Sequence, residues 1–157
     1  MEVQFKFSNG QIVKDRVSGI TGIIDQSTIM DTGNIQYSLQ PQSTDGKKQH
    51  DSWFVDEASL EIEEGKTPIQ KTHVFKFDPG TKVKNKITEF EGYITRAILD
   101  YGKCVRYTIT GKYNYEKGSP NVDFADGKHL ESIAAPPLKT NRSETGCAST
   151  RSTPNQH

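Results

Sequence analysis

From its first residues the chain alternates apolar and polar side chains with a period of two, as in VQFKF at 3–7 and NIQYSLQ at 34–40. Successive side chains of an extended strand point to opposite faces, so this is the pattern of strands buried on one side. Ser8-Asn9-Gly10 supplies turn chemistry after the first strand. In QIVKDRV, Ile12 or Val13 together with Val17 mark the apolar positions of a second strand that carries Lys14, Asp15 and Arg16. Ser18-Gly19 breaks it, and Thr21-Gly22-Ile23-Ile24 opens the next, with Gly19 and Gly22 permitting a bend that β-branched residues would resist. A polar segment from Pro41 to Ser52 precedes SWFVDEASLEIE, which reads as a short strand, an acidic turn and a closing strand. No segment carries helical periodicity over a useful length, so the expectation is all-β.

The same pattern then returns. Phe5 to Ile24, FKFSNGQIVKDRVSGITGII, reappears from Phe75 to Ile94 as FKFDPGTKVKNKITEFEGYI. One ungapped shift places Phe5 on Phe75, Gly10 on Gly80, Gly22 on Gly92, Tyr37 on Tyr107, Phe54 on Phe124, Asp56 on Asp126 and Leu60-Glu61 on Leu130-Glu131. Such an offset held through the whole unit is the mark of a tandem duplication. It divides the chain into a first repeat over residues 1–62, a charged linker over 63–72 punctuated by Gly65 and Pro68, a second repeat over 73–133, and a Ser/Thr/Asn/Gly-rich arm over 134–157. After Pro136-Pro137 the arm has too little apolar surface to order itself. Each repeat is near the lower size limit for independent folding, so burial against the other repeat or a partner is expected.

About five short strands per repeat, opening with a valine-lysine-x-x-valine rhythm before a glycine turn, is how small SH3-like barrels of the KOW and Tudor kind begin. The fold expected is therefore two tandem SH3-like β-barrels plus an extended tail, with an OB-like five-stranded barrel carrying much the same signature.

Composition narrows the function more than the fold. Twenty basic and twenty acidic side chains cancel, which leaves no global field to hold a polyanion. Nucleic acid is thus possible through a local patch but not favoured. Cys104 and Cys147 stand alone, without CxxC or histidine at metal-ligand spacing, and read as two reduced thiols. No run approaches the ~20 apolar residues of a membrane span, and the N-terminus lacks signal-peptide form, so no membrane association is expected.

No catalytic constellation stands out. There is no GxSxG, and His50, His73, His129 and His157 fall in a loop, a linker, a strand edge and the terminus. Asp56-Glu57 and the acids at 61, 63 and 64 read as a solvated turn and an exposed strand face. SGITGII feeds a strand instead of a helix, so it is no phosphate cradle. No cofactor and no metal is expected, and an enzyme is the reading with least support.

Binding residues are easier to nominate. In Trp53-Phe54, Phe54 recurs as Phe124 and is expected in the core, whereas Trp53 is unique and reads either as packing in the core or between the repeats or as a ring that stacks on a ligand or partner. The second repeat has Lys112-Tyr113-Asn114-Tyr115-Glu116-Lys117 in the corresponding loop, near in sequence to Arg96, Lys103 and Arg106. Tyr113 and Tyr115 interleaved with bases could contact nucleic acid or form an amphipathic protein interface, and the balanced charge favours the interface.

The opening, Gly33 with Tyr37, then Trp53-Phe54, the Asp56-Glu57 pair and Leu60-Glu61, taken in that order, resembles small uncharacterised proteins common in tailed-bacteriophage genomes. Their pattern runs FKLGDKVKDKVTGFEGI, a glycine before a tyrosine-bearing strand, then WFDE and a leucine-glutamate strand. This chain departs from it at Val55, which precedes the acidic pair, and in the second repeat, where Asp123 and Gly127 replace Trp53 and Glu57. The resemblance implies a phage protein of SH3-like fold. The duplication, the absent chemistry and the arm then point to a non-enzymatic accessory structural component of the virion that binds neighbouring virion chains or itself and passes through the host cytoplasm during assembly. The alternatives are a cytoplasmic phage protein sequestering a nucleotide signal of host defence, and a nucleic-acid-binding module.

Overall fold

A computed structural model describes residues 1–41, 51–63, 65–102 and 104–133. The expected arm over 134–157, with Cys147 and His157, lies outside the described residues, as do His50, Glu64 and Lys103. The described chain is all-β. The first repeat forms β1 (Glu2–Phe5), β2 (Ile12–Asp15), β3 (Thr21–Met30), β4 (Ile35–Pro41), β5 (Trp53–Asp56) and β6 (Leu60–Ile62). The second forms β7 (Lys71–Val74), β8 (Lys82–Asn85), β9 (Glu91–Asp100), β10 (Val105–Asn114), β11 (Ser119–Asp126) and β12 (Leu130–Ser132). A one-turn 3-10 helix joins β5 to β6 (Glu57–Ser59) and β11 to β12 (Gly127–His129). No helix among the described residues is long and apolar enough to cross a membrane.

Within each repeat the strands run antiparallel in the order β6-β2-β3-β4-β5 or β12-β8-β9-β10-β11. These pairings do not close on themselves. Instead the repeats are sewn together twice: among the described residues β1 pairs only with β7, and β3 pairs with β9, which merges ten strands into one sheet. Both seams are antiparallel, and each is centred on a residue facing its own repeat equivalent: Val3 opposite His73 in one and Thr28 opposite Ile98 in the other. A single approximate two-fold axis therefore relates the repeats, as in the isologous contact of a symmetric dimer.

The long strands serve two neighbours along one edge. The first part of β3 pairs β2 and the last part pairs β9, with an irregularity in its β4 register around Asp25, between the two segments. In β9 the equivalent irregularity falls at Thr95. The Asp25 and Thr95 carbonyls accept from the Tyr101 and Asp31 N–H groups across the seam, so each bulge anchors the other repeat. Gly22 and Gly92 bring this bend close to the next strand. A Cβ would lie 2.9 Å from the Gln40 oxygen at the first and 2.5 Å from the Thr110 oxygen at the second.

One core spans both repeats. Phe7 packs edge-on against Tyr37, Tyr37 against Phe5, Phe5 against Phe75, Phe75 against Tyr107 and Tyr107 against Phe77, with centroids 5.7–6.5 Å apart. Each such pair contributes roughly 0.5–1.5 kcal/mol beyond the area it buries. The chain of rings crosses the two-fold axis at the Phe5–Phe75 contact.

Two expectations need correction. Val17 is exposed rather than apolar strand: β2 ends at Asp15, which is buried and folds the chain back by accepting from the Val17 N–H (2.9 Å) and the Ser18 hydroxyl (2.7 Å). The segment around 63–72 is more than a linker. Its Ile69 carbonyl accepts from the Ser8 hydroxyl at 2.7 Å, and β7 already begins at Lys71.

Candidate functional site

The register of β5 places Trp53 against the core, one of the two readings its uniqueness left open, and turns Phe54 out of the core expected for it. Val55 lies opposite Tyr37 and is buried with it, so period two turns Trp53 inward as well and Phe54 outward. Trp53 packs half-buried against the core, while Phe54 is 55% exposed and its equivalent Phe124 65% exposed. The indole N–H is buried without a hydrogen bond of ordinary geometry. It lies close enough to Asp15 to act on it. Burial works to raise the Asp15 carboxyl, but the Ser18 hydroxyl, the Val17 N–H and the Trp53 indole together outweigh it and hold the group below its ordinary value.

In the second repeat this pair is rebuilt with its polarity reversed. Asn85 replaces Asp15 as donor and Asp123 replaces Trp53 as acceptor, with Asn85 Nδ2 2.8 Å and Thr88 Oγ1 2.9 Å from Asp123 Oδ2. A carboxylate and its donor are kept at this corner in both repeats, but they have exchanged strands.

The aromatic and basic residues nominated in the second repeat do not converge. Arg106 is held by a two-pronged ion pair with Asp100, at 2.8 and 3.1 Å. Tyr113 lies seven residues further along β10, about 23 Å away at strand spacing. Arg96 faces Thr108 on β10 and Met30 on β3, in the middle of the sheet. The segment expected as a loop is instead the end of a long β10–β11 ribbon. Asn114 Oδ1 accepts from the Glu116 and Lys117 N–H groups at its tip, Tyr113 and Tyr115 stack edge-on at 5.1 Å, and Tyr115 is 90% exposed.

The site that sequence reasoning missed is beneath the ring chain. In the first repeat the buried Tyr37 hydroxyl accepts from the Phe7 N–H at 3.3 Å and donates to Glu57 Oε2 at 2.5 Å. The same carboxylate oxygen accepts from the Lys6 N–H at 3.1 Å. Glu57 is therefore no solvated turn residue: it plugs two donors at the start of the 3-10 helix. Burial first, and then the hydrogen bond to Glu57, push the Tyr37 phenol far above its ordinary value, so it stays a donor.

The second repeat has every part of this arrangement except the plug. Tyr107 accepts from the Phe77 N–H at 3.3 Å, and burial again raises its phenol. Gly127 stands where Glu57 would be, and among the described residues nothing accepts the Tyr107 proton. The space opens as a cavity of about 380 Å³ bounded by Val74, Lys76, Val105, Tyr107, Gly127 and Lys128, with Cys104 and Asp126 at its margin. The corresponding cavity of the first repeat is floored by Glu57 and reaches neither Tyr37 nor Lys6.

Among the described residues no three His, Cys, Asp or Glu side chains group as a metal site requires. His73 packs on Phe75 at 4.7 Å within β7, where burial and then Lys71 lower its pKa. No protein-family model, curated protein or solved structure matches the chain.

Proposed function

We propose that the chain is a non-enzymatic docking protein of a tailed-bacteriophage virion, built from two SH3-like units. The strand order β6-β2-β3-β4-β5, with a 3-10 turn before the returning strand, supports the SH3-like reading of each repeat. The phage origin rests on the resemblance of the repeat to small phage proteins, and the virion role on the duplication, the absence of a catalytic constellation in the sequence and the polar C-terminal arm.

The observation that carries the docking role is the outer edge of the sheet. β11 is eight residues long, pairs only with β10 among the described residues, and bears Val122 and Phe124 exposed on its outward face beside exposed Ile87. A long edge strand with apolar outward side chains is a template for a partner strand. An extended segment of a neighbouring virion chain is the occupant: main-chain bonds to β11 give affinity, and the groove between Phe124 and Ile87 gives selectivity. The separation of Arg96, Arg106 and Tyr113 along the sheet offers no single nucleotide pocket.

Mass spectrometry of purified particles, beside infected-cell lysate, tests the assignment: the chain is expected in the particle at a fixed stoichiometry. Phe124→Glu is expected to leave the isolated protein folded and to remove it from the particle. Detection in lysate alone would overturn the proposal.

A further inference from the structure

The two repeats act as their own control experiment, with one ligand position filled internally and the other open. In the first, a carboxylate on a two-carbon stem occupies the position between the Tyr37 hydroxyl and the Lys6 N–H. In the second, the equivalent Tyr107, itself 1% exposed, and Lys76 line a cavity that Gly127, having no side chain, leaves unfilled. We propose that this cavity is a carboxylate-binding socket, which takes from outside the chain the group that Glu57 supplies within it.

The lining fits that ligand. Tyr107 is held in place by Phe77 below and Phe75 beside it, so its hydroxyl is aimed before any ligand arrives. Val74 and Val105 offer apolar walls to a short aliphatic stem, and Lys76 and Lys128 supply positive charge. The Lys76 ammonium reaches the Gly127 carbonyl at 3.4 Å and sits 5.0 Å above the Phe77 ring, so it guards the entrance. Asp126 is the one acid on the margin, opposite Arg106 in the β10–β11 register, although the guanidinium makes its ion pair with Asp100. A glutamate side chain and a free short-chain carboxylate share the required chemistry. The socket adjoins the end of β11 at Asp126 but shares neither Phe124 nor Ile87 with the docking groove, so it is tested independently of virion docking.

Propionate, propionamide and a blocked glutamate-containing tripeptide, each titrated into the 15N-labelled full chain at constant ionic strength, test the socket through the amide resonances of Lys76, Phe77 and Gly127. Saturable shifts with propionate or the peptide, and none with the neutral amide, are the expected result, with propionate affinity on the order of millimolar. The tighter of the two identifies the source of the carboxylate. Gly127→Glu installs the internal plug and is expected to weaken both ligands by about tenfold or more. Glu57→Gly is expected to create a second set of shifts at Lys6 and Phe7, with the second repeat unchanged. Tyr107→Phe keeps the packing and removes one donor, so it covers the case in which Gly127→Glu does not fold. Absence of saturation, equal response to propionamide, or indifference to both Gly127→Glu and Tyr107→Phe would overturn the proposal.

Discussion

The first and second repeats share a frame and differ in how they satisfy its polar groups. Phe5, Phe7, Gly22 and Tyr37 return as Phe75, Phe77, Gly92 and Tyr107 in equivalent contacts. The polar partners have drifted in two different ways. At the Asp15–Trp53 corner donor and acceptor changed places together, as Asn85 and Asp123, and the pairing survived. Beneath the tyrosine only one member differs, Glu57 against Gly127, and the buried Tyr107 hydroxyl is left without the acceptor that Tyr37 has. Positions fixed by shape are kept because a packed interior has no room to vary. A polar pair can vary if both members move, and a change in only one of them creates a site.

The largest test of this contrast is at the shared frame. Phe5→Ala and Phe75→Ala are each expected to cost about 3–5 kcal/mol in denaturant unfolding. Because the two rings touch across the axis, the double variant should lose less than the sum. Separate transitions for the two repeats in either variant would break the view that one core holds both. Next in size, Tyr37→Phe strands the Glu57 carboxylate and should cost about 1–3 kcal/mol, against about 1 kcal/mol or less for Tyr107→Phe. Equal losses would mean that Glu57 contributes no more than water does.

Acid unfolding sharpens the other corner. The Asp15 carboxyl titrates lower in the folded chain than its ordinary 3.8, so the unfolded state binds more protons in that range and stability rises with pH. Its contribution is complete above that value and is lost as pH falls towards the folded one. Asp15→Asn, which copies the second repeat, should therefore flatten the acid limb of a stability-pH curve, and an unchanged slope would count against the role of Asp15. The smallest effect concerns Glu89, the described non-glycine residue with positive φ, at 59° where the first repeat has Gly19 at 73°. Glu89→Gly should raise stability by under about 1 kcal/mol in thermal unfolding, since relief of left-handed strain is partly offset by a more flexible unfolded chain.

The duplication, the all-β character and most strand positions were legible from period two and the spacing of glycines. The two seams were not, because a strand that pairs with two neighbours carries no different alternation from one that pairs with a single neighbour. Phe54 was misassigned because recurrence as Phe124 was taken as a mark of the core, when both copies are exposed: Val55, opposite Tyr37, is the residue that fixes which face is inward. Glu57 was overlooked for a related reason. An acid beside a turn reads as solvated, and only the repeat comparison of Tyr37 with Tyr107 and Glu57 with Gly127 hints that a tyrosine hydroxyl has gained or lost its acceptor. Arg106 was legible as a cation, whereas its capture by Asp100 depends on the β9–β10 register.

The seams at Val3–His73 and Thr28–Ile98 are those that two identical chains would form around an exact two-fold axis. Two separate copies of one gene product must carry every substitution twice, so they could not hold Glu57 in one half and its glycine counterpart in the other. Joining the copies into one polypeptide releases each half from the other's mutations. The continuous chain thereby lets a symmetric body keep one sealed face for stability and open the opposite one to the outside.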